Sequence, residues 1–274
     1  MKNCLYWFII FFLYLAACTQ VPITQRSQLH IFPEQTLIAL SLTSYQKFLQ
    51  THRLSTDLAK VQMVKSVGKR LAQAVTTFFQ KRGESYRLQN YHWEFNLVEN
   101  KAANAWCMPG GKVVVYTGIL PLTKNQAGLA VVLGHEIAHA VAQHGNERLS
   151  QLLLFQLGGM ALSAALAEKP AKTKELFLIA YGLGGQLGVL LPYSREQELE
   201  ADRLGLIFMA MAGYDPREAI TFWQRMSRKH QTRFIPEFLS THPLYTKRIE
   251  QIKKFMPTAL RYYRSSPLRA KPQK

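Results

Sequence analysis

The sequence predicts an α+β fold, mostly α-helical, with a small β-sheet beside a long apolar helix. Three observations carry this. Apolar residues recur at the helical period of about 3.6 over most of the chain. Two short strand-like runs, Tyr91–Val98 and Lys112–Tyr116, lie near its middle. Between them and the later helices stands His135-Glu136-Ile137-Ala138-His139, an H-E-x-x-H pentapeptide inside the apolar run Leu129–Ala142. With 48% hydrophobic and 19% charged residues, the chain has the composition of a protein with a packed core.

The N-terminus reads as an export signal. Lys2 supplies a short positive region and Leu5–Ala17 is apolar and uncharged. The run ends Leu15-Ala16-Ala17-Cys18, which resembles the lipobox of bacterial lipoproteins. That resemblance implies removal of residues 1–17, acylation of Cys18, and an outer-membrane lipoprotein facing the periplasm of a Gram-negative bacterium. Residues 18–33 contain no acidic residue before Pro33 and are expected to act as a tether. With Cys4 removed and Cys18 acylated, Cys107 is the single free thiol of the mature chain, read as a small semi-buried apolar residue.

Residues 34–258 are expected to form the metal-binding domain. Glu34–His52 and Thr56–Lys81 open it as helices, the second with an apolar stripe through Leu58, Val61, Val64, Val67, Leu71 and Val75. In the first strand Tyr91, Trp93, Phe95 and Leu97 share a face, and Pro109-Gly110-Gly111 turns into the β-branched second strand. Asn125 is placed to cap the motif helix, and His144-Gly145 to end it. Gly134 implies close backbone approach by another segment. Leu149–Ala167, Lys174–Leu191, Ser194–Ala212 and Pro216–Lys229 follow as helices. The uncharged runs 149–167 and 176–194 are each of near-membrane length; their glutamines and glycines favour helices packed in or against the domain over a membrane hairpin.

The formal charge is +17, and it is uneven: Arg225–Lys274 holds 13 Lys or Arg against Glu237 and Glu250. Residues 259–274 are expected to be a basic, disordered tail. Export argues against nucleic acid as a partner, so anionic lipid or lipopolysaccharide suits this charge better.

On a helix, His135 and His139 present two imidazoles to one ion, and Glu136 can reach a water bound to it. That is the minimal equipment of a zinc hydrolase, with one Zn2+ per chain. A third protein ligand is needed. The metzincin pattern would require glycine and histidine at 142 and 145, where the chain has Ala142 and Gly145. A gluzincin instead takes a glutamate from a later helix. In Glu196-Gln197-Glu198-Leu199-Glu200-Ala201-Asp202, Glu198 and Asp202 share a face that Gly205 continues, whereas Glu200 points away. Glu198 is therefore assigned as ligand, and Asp202 as acceptor of the second ring N–H of His135.

These motifs resemble the zinc metallopeptidases that include the CAAX prenyl proteases, the HtpX heat-shock proteases and soluble periplasmic quality-control members. The resemblance extends to Asn104-Ala105-Trp106-Cys107-Met108-Pro109-Gly110-Gly111 and to Ser240-Thr241-His242-Pro243 with Arg248. It implies a gluzincin domain over roughly 54–255 that hydrolyses peptide bonds in unfolded or misassembled envelope proteins, with Glu136 as general base. It implies an edge strand at Ala103–Cys107, so that Asn104, Ala105 and Trp106 bind extended substrate. It also places His242 near the metal, either supporting the oxyanion or occupying the open zinc position. The competing expectation is a chaperone-like lipoprotein that keeps its zinc site for structure.

Overall fold

The computed structural model describes residues 18–169, 171–172, 174–175, 177–179, 191–230, 237–242 and 247–269. The expected signal segment 1–17, most of the run 176–194, and Pro243 lie outside them. Along the chain stand β1 (Cys18–Gln20), β2 (Ser27–Leu29), α1 (Glu34–Thr51), α2 (Leu58–Lys81), β3 (Glu94–Val98), β4 (Ala105–Met108), β5 (Lys112–Tyr116) and α3 (Leu120–Thr123). There follow α4 (Gln126–Val141), α5 (His144–Ala165), α6 (Leu191–Met211), α7 (Glu218–His230), α8 (Glu237–Thr241) and α9 (Arg248–Ser265). The α+β, mostly helical prediction holds. The chain divides into two compact units, 1–34 with 143–197 and 35–142 with 198–274, so residues 143–197 interrupt the stretch expected as one domain.

In the larger unit the sheet order is β3-β5-β4, with β5 parallel to β3 and antiparallel to β4. Val113, Val114 and Val115 are fully buried, as a central strand covered on both faces requires. One face packs Tyr116, Val114 and Val98 against Tyr45 of α1, with Phe48, Trp106 and Met108 alongside. Against the sheet also lie α2, which contacts β3, and α4, which contacts β4. The α2 stripe buries Val64, Val67, Leu71 and Val75, and Gly68 admits the Phe95 ring where any Cβ would lie 2.3 Å from it. Leu58, expected in that stripe, is exposed at the first turn, where the Asp57 carboxylate accepts the Lys60 N–H at 3.1 Å.

The motif helix α4 begins as expected, with the Asn125 side chain accepting the Gly128 N–H at 2.9 Å. It ends earlier than expected. Gln143, not Gly145, takes the left-handed backbone at φ 56°, and His144 opens α5. Tyr91 secures the end of α4 by donating its hydroxyl to the Ala140 carbonyl at 2.9 Å. Helix α6 crosses α4 at two glycines: a Cβ on Gly134 would lie 3.0 Å from the Gly205 carbonyl, and one on Gly205 would lie 2.9 Å from the His135 nitrogen. Contact at that distance is backbone on backbone.

In the smaller unit, residues 18–33 are not a plain tether. β1 and β2 pair antiparallel, and Val21 is fully buried. Arg26 forms a two-pronged ion pair with Glu147 of α5, its second prong at 2.8 Å, and Gln197 donates to the same carboxylate at 2.7 Å. The chain is held there because a buried Glu147 needs charge and hydrogen-bond partners. Helix α5 buries His144, Asn146, Glu147 and Ser150, leaves Leu149, Leu152, Leu154, Leu157 and Met160 exposed, and keeps Leu153, Phe155 and Leu162 half-buried, so full burial ends at Ser150 while partial packing continues. Among the described residues no helix is long and apolar enough to cross a membrane. The expected disordered tail from 259 is helical through Ser265, because Ile252, Met256 and Ala259 form one buried stripe of α9.

Gly205→Ala is expected to destabilise the protein. The added methyl gains about 1 kcal/mol of helix propensity but meets rigid backbone, an overpacking cost of about 1–3 kcal/mol plus displaced site residues. Thermal unfolding checks this, with Gly145→Ala, where a Cβ meets nothing within 4 Å, as the neutral control.

Candidate metal centre and cleft

The Gly134–Gly205 crossing brings together the two helices that carry the candidate donors. His135, His139, Glu198 and His242, all buried, offer donor atoms within 4.8 Å of one another. His135 Nε2 lies 3.1 Å from both His139 Nε2 and His242 Nδ1. Glu198 sets Oε1 at 3.2 Å from His139 Nε2 and Oε2 at 3.2 Å from His135 Nε2. Donors about 2.0–2.2 Å from a tetrahedral zinc ion are separated by roughly 3.3–3.6 Å. The donor set and its spacing thus fit one zinc ion.

The surroundings supply what ligating side chains need. His135 Nδ1 lies 3.0 Å from Asp202 Oδ1, so the Asp202 carboxylate accepts the Nδ1–H and leaves Nε2 as a donor of electrons. Burial disfavours the Asp202 anion, but Arg248 and His135 outweigh it and hold its pKa below the ordinary value. Burial likewise opposes ionised Glu198, and the imidazoles of His139 and His135 hold its pKa well below the usual carboxylate range. Both carboxylates therefore stand in their anionic form.

Glu136 is buried beside the cluster, its Oε1 3.2 Å from His242 Nε2. His242 thus reaches the donor cluster through Nδ1 and Glu136 through Nε2. Cys107 on β4 is half-buried, and burial together with the Glu136 charge pushes its thiol pKa well up, consistent with the inert role read from the sequence.

β4 is an edge strand, as expected, and Ala105 on it is buried. The neighbouring residues are otherwise employed. Asn104 donates its side-chain amide to Glu237 of α8 at 3.0 Å, and Trp106 packs edge-on against Phe48 of α1, ring centroids 5.1 Å apart. Glu200 lies outside the donor cluster, as expected, and is buried. Sequence reasoning also passed over the wall of the site. Trp223 and Phe238 stand 6.1 and 6.2 Å from the His135 ring, and the fully buried Arg248 lies beneath. Only the position of Arg248, six residues past His242, hinted at any of this.

A fold of this kind around an H-E-x-x-H helix and a glutamate from a later helix is that of a gluzincin metallopeptidase. The model for "Peptidase family M48" matches residues 59–256, and the chain belongs to that family. Among its relatives, the mitochondrial metalloendopeptidase OMA1 of Schizosaccharomyces pombe is 38% identical over 179 residues, 63% of this chain and 49% of that protein. The Bos taurus OMA1 is 33% identical over 88% of this chain and 46% of its own length. The beta-barrel assembly-enhancing protease of Escherichia coli is 28% identical over 72% of this chain and 39% of its own. The chain spans about half the length, or less, of the curated relatives it matches. The outer-membrane location in a Gram-negative bacterium expected from residues 1–18 is corrected by these matches, since the relatives at 35–38% identity from two yeasts and Arabidopsis thaliana are all mitochondrial proteins.

Glu198→Gln is expected to lose zinc and Glu200→Gln to keep it. Metal analysis of the purified variants after dialysis checks this; the opposite pattern refutes Glu198 as ligand.

Proposed function

We propose that the chain is a zinc-dependent metalloendopeptidase that hydrolyses peptide bonds in unfolded or misassembled proteins. The observation that carries this reading is the placement of Glu136 at the edge of a buried two-histidine, one-glutamate donor set, beside an edge strand. His135, His139 and Glu198 would hold the zinc, which when bound polarises the scissile carbonyl and lowers the pKa of water to about 7. Glu136 takes the proton of the attacking water and returns it to the leaving amine. Asp202 fixes the His135 tautomer. β4 supplies backbone pairing to an extended substrate from the Ala105 carbonyl onward, since the Ala105 N–H is held by Asn104 Oδ1, and such pairing selects for unfolded chain rather than for sequence. The metalloendopeptidase and protease names of the relatives support the same reaction, and the mitochondrial ones support a mitochondrial setting.

His242 is proposed as the residue that occupies the fourth position and keeps the enzyme latent. Its Nδ1 is as near to His135 Nε2 as the two motif histidines are to each other, 3.1 Å in both cases. The exposed basic face of α9, with Lys253, Lys254, Arg261 and Arg264, is proposed to meet anionic lipid. Acylation of Cys18 is proposed separately, on the small-residue run before it alone. An unmodified Cys18 in the mass spectrum of the mature N-terminal peptide excludes it.

Casein hydrolysis should fall at least a thousandfold in Glu136→Gln, with zinc content and unfolding temperature retained. Undiminished hydrolysis there refutes Glu136 as the base, and no hydrolysis in either the wild type or His242→Ala favours the alternative of a binding or chaperone module. His242→Ala should raise hydrolysis several-fold; a fall without loss of zinc assigns His242 to the oxyanion instead.

A further inference from the structure

We infer that Arg248 is the positioning residue that locks both carboxylates of the metal site and anchors the His242 segment to them, an inference that rests on the zinc-peptidase reading above. Its side chain is fully buried, which is costly for a guanidinium unless every face is engaged. Here Nε and Nη2 each donate at 2.8 Å to the two oxygens of Asp202, a bidentate pair. Nη1 lies 3.2 Å from Glu198 Oε2 and donates at 3.5 Å to the His242 carbonyl. The flat face of the group rests on Trp223, its carbon 3.6 Å from the ring centroid.

Each contact has a consequence for the ligands. With both oxygens taken by Arg248, the Asp202 carboxylate cannot rotate away from His135. With Oε2 paired to Nη1, Glu198 is fixed in the rotamer that serves the cluster. Trp223 sets the plane of the fork, so orientation as well as charge is imposed. A lysine would supply the charge but neither the fork nor the plane. Arg248 Nη2 also lies 3.4 Å from His135 Nδ1, so the residue acts through Asp202, Glu198 and His135 rather than on the substrate.

The test uses the full chain and measures zinc affinity by competition with a chromogenic chelator, alongside unfolding of the chelator-treated protein. Arg248→Lys is expected to weaken zinc binding about 10–100-fold, as loss of an outer partner does, while the metal-free protein still unfolds in a single cooperative transition at a lowered midpoint. Because the effect passes largely through Asp202, Asp202→Asn combined with Arg248→Lys should lose little more affinity than Asp202→Asn alone. Wild-type affinity in Arg248→Lys, or losses that add fully, overturns the inference. If Arg248→Lys does not fold, Trp223→Leu carries the test, with about threefold weaker zinc binding expected and wild-type affinity overturning the role. A wild-type protein that binds no zinc overturns both this inference and the peptidase reading, whereas tight zinc in both wild type and Arg248→Lys removes only the former.

Discussion

The site depends on the backbone contact between Gly134 and Gly205. Two helices packed through ordinary side chains keep their axes about 8–10 Å apart. Here a Cβ at either position would stand within about 3 Å of the opposing main chain. That approach lets short side chains from two helices meet: His135 follows Gly134 directly, and Asp202 lies three residues before Gly205. The rest of the cluster inherits its spacing from this crossing, because Glu198 sits one turn before Asp202 and His139 one turn after His135.

Packed around the crossing, the sheet and the buried ionic network divide the remaining work. β4 packs against α4, and Tyr91 fixes its far end through Ala140. On the other side, several titratable or charged groups are buried together: His135, His139, His242, Glu136, Glu198, Asp202 and Arg248. Such a cluster persists because each carboxylate faces at least one cation or imidazole, which outweighs the cost of burial. A core of this kind is specific rather than merely stable, since removing one member strands another.

How much of this the sequence discloses depends on the range of the interaction. The motif helix, its Asn125 cap and the strand at Lys112–Tyr116 are set by local periodicity and capping, and they are legible. Glu198 and Asp202 are legible as well, because spacing of four on a helix is a local fact. The end of α4 is not. Gln143 takes a left-handed conformation that glycine would adopt more readily, and a neighbouring Gly145 pointed to the wrong place. The fold of residues 18–33 is equally hidden, because it depends on Arg26 meeting Glu147 across more than a hundred residues. The uses of Asn104 and Trp106 escape the sequence for the same reason: a motif shows that a residue is placed, not which neighbour takes its side chain.

Those uses connect the strand edge to the metal centre. Asn104 holds Glu237, and the Phe238 N–H donates to the Ala103 carbonyl at 2.9 Å, so the start of α8 is pinned to the segment leading into β4. Four residues on, the His242 N–H donates to the Phe238 carbonyl at 2.9 Å, and the Phe238 and His242 rings pack with centroids 4.6 Å apart. His242, whose Nε2 lies 3.2 Å from Glu136 Oε1, therefore follows a short helix whose other end is fastened beside the edge strand. Because Phe238 takes the Ala103 carbonyl and Asn104 Oδ1 accepts the Ala105 N–H at 2.9 Å, the rim of the strand open to further pairing begins at the Ala105 carbonyl. Strand edge and His242 are thus joined through five residues of helix, and a displacement of α8 at one end is felt at the other.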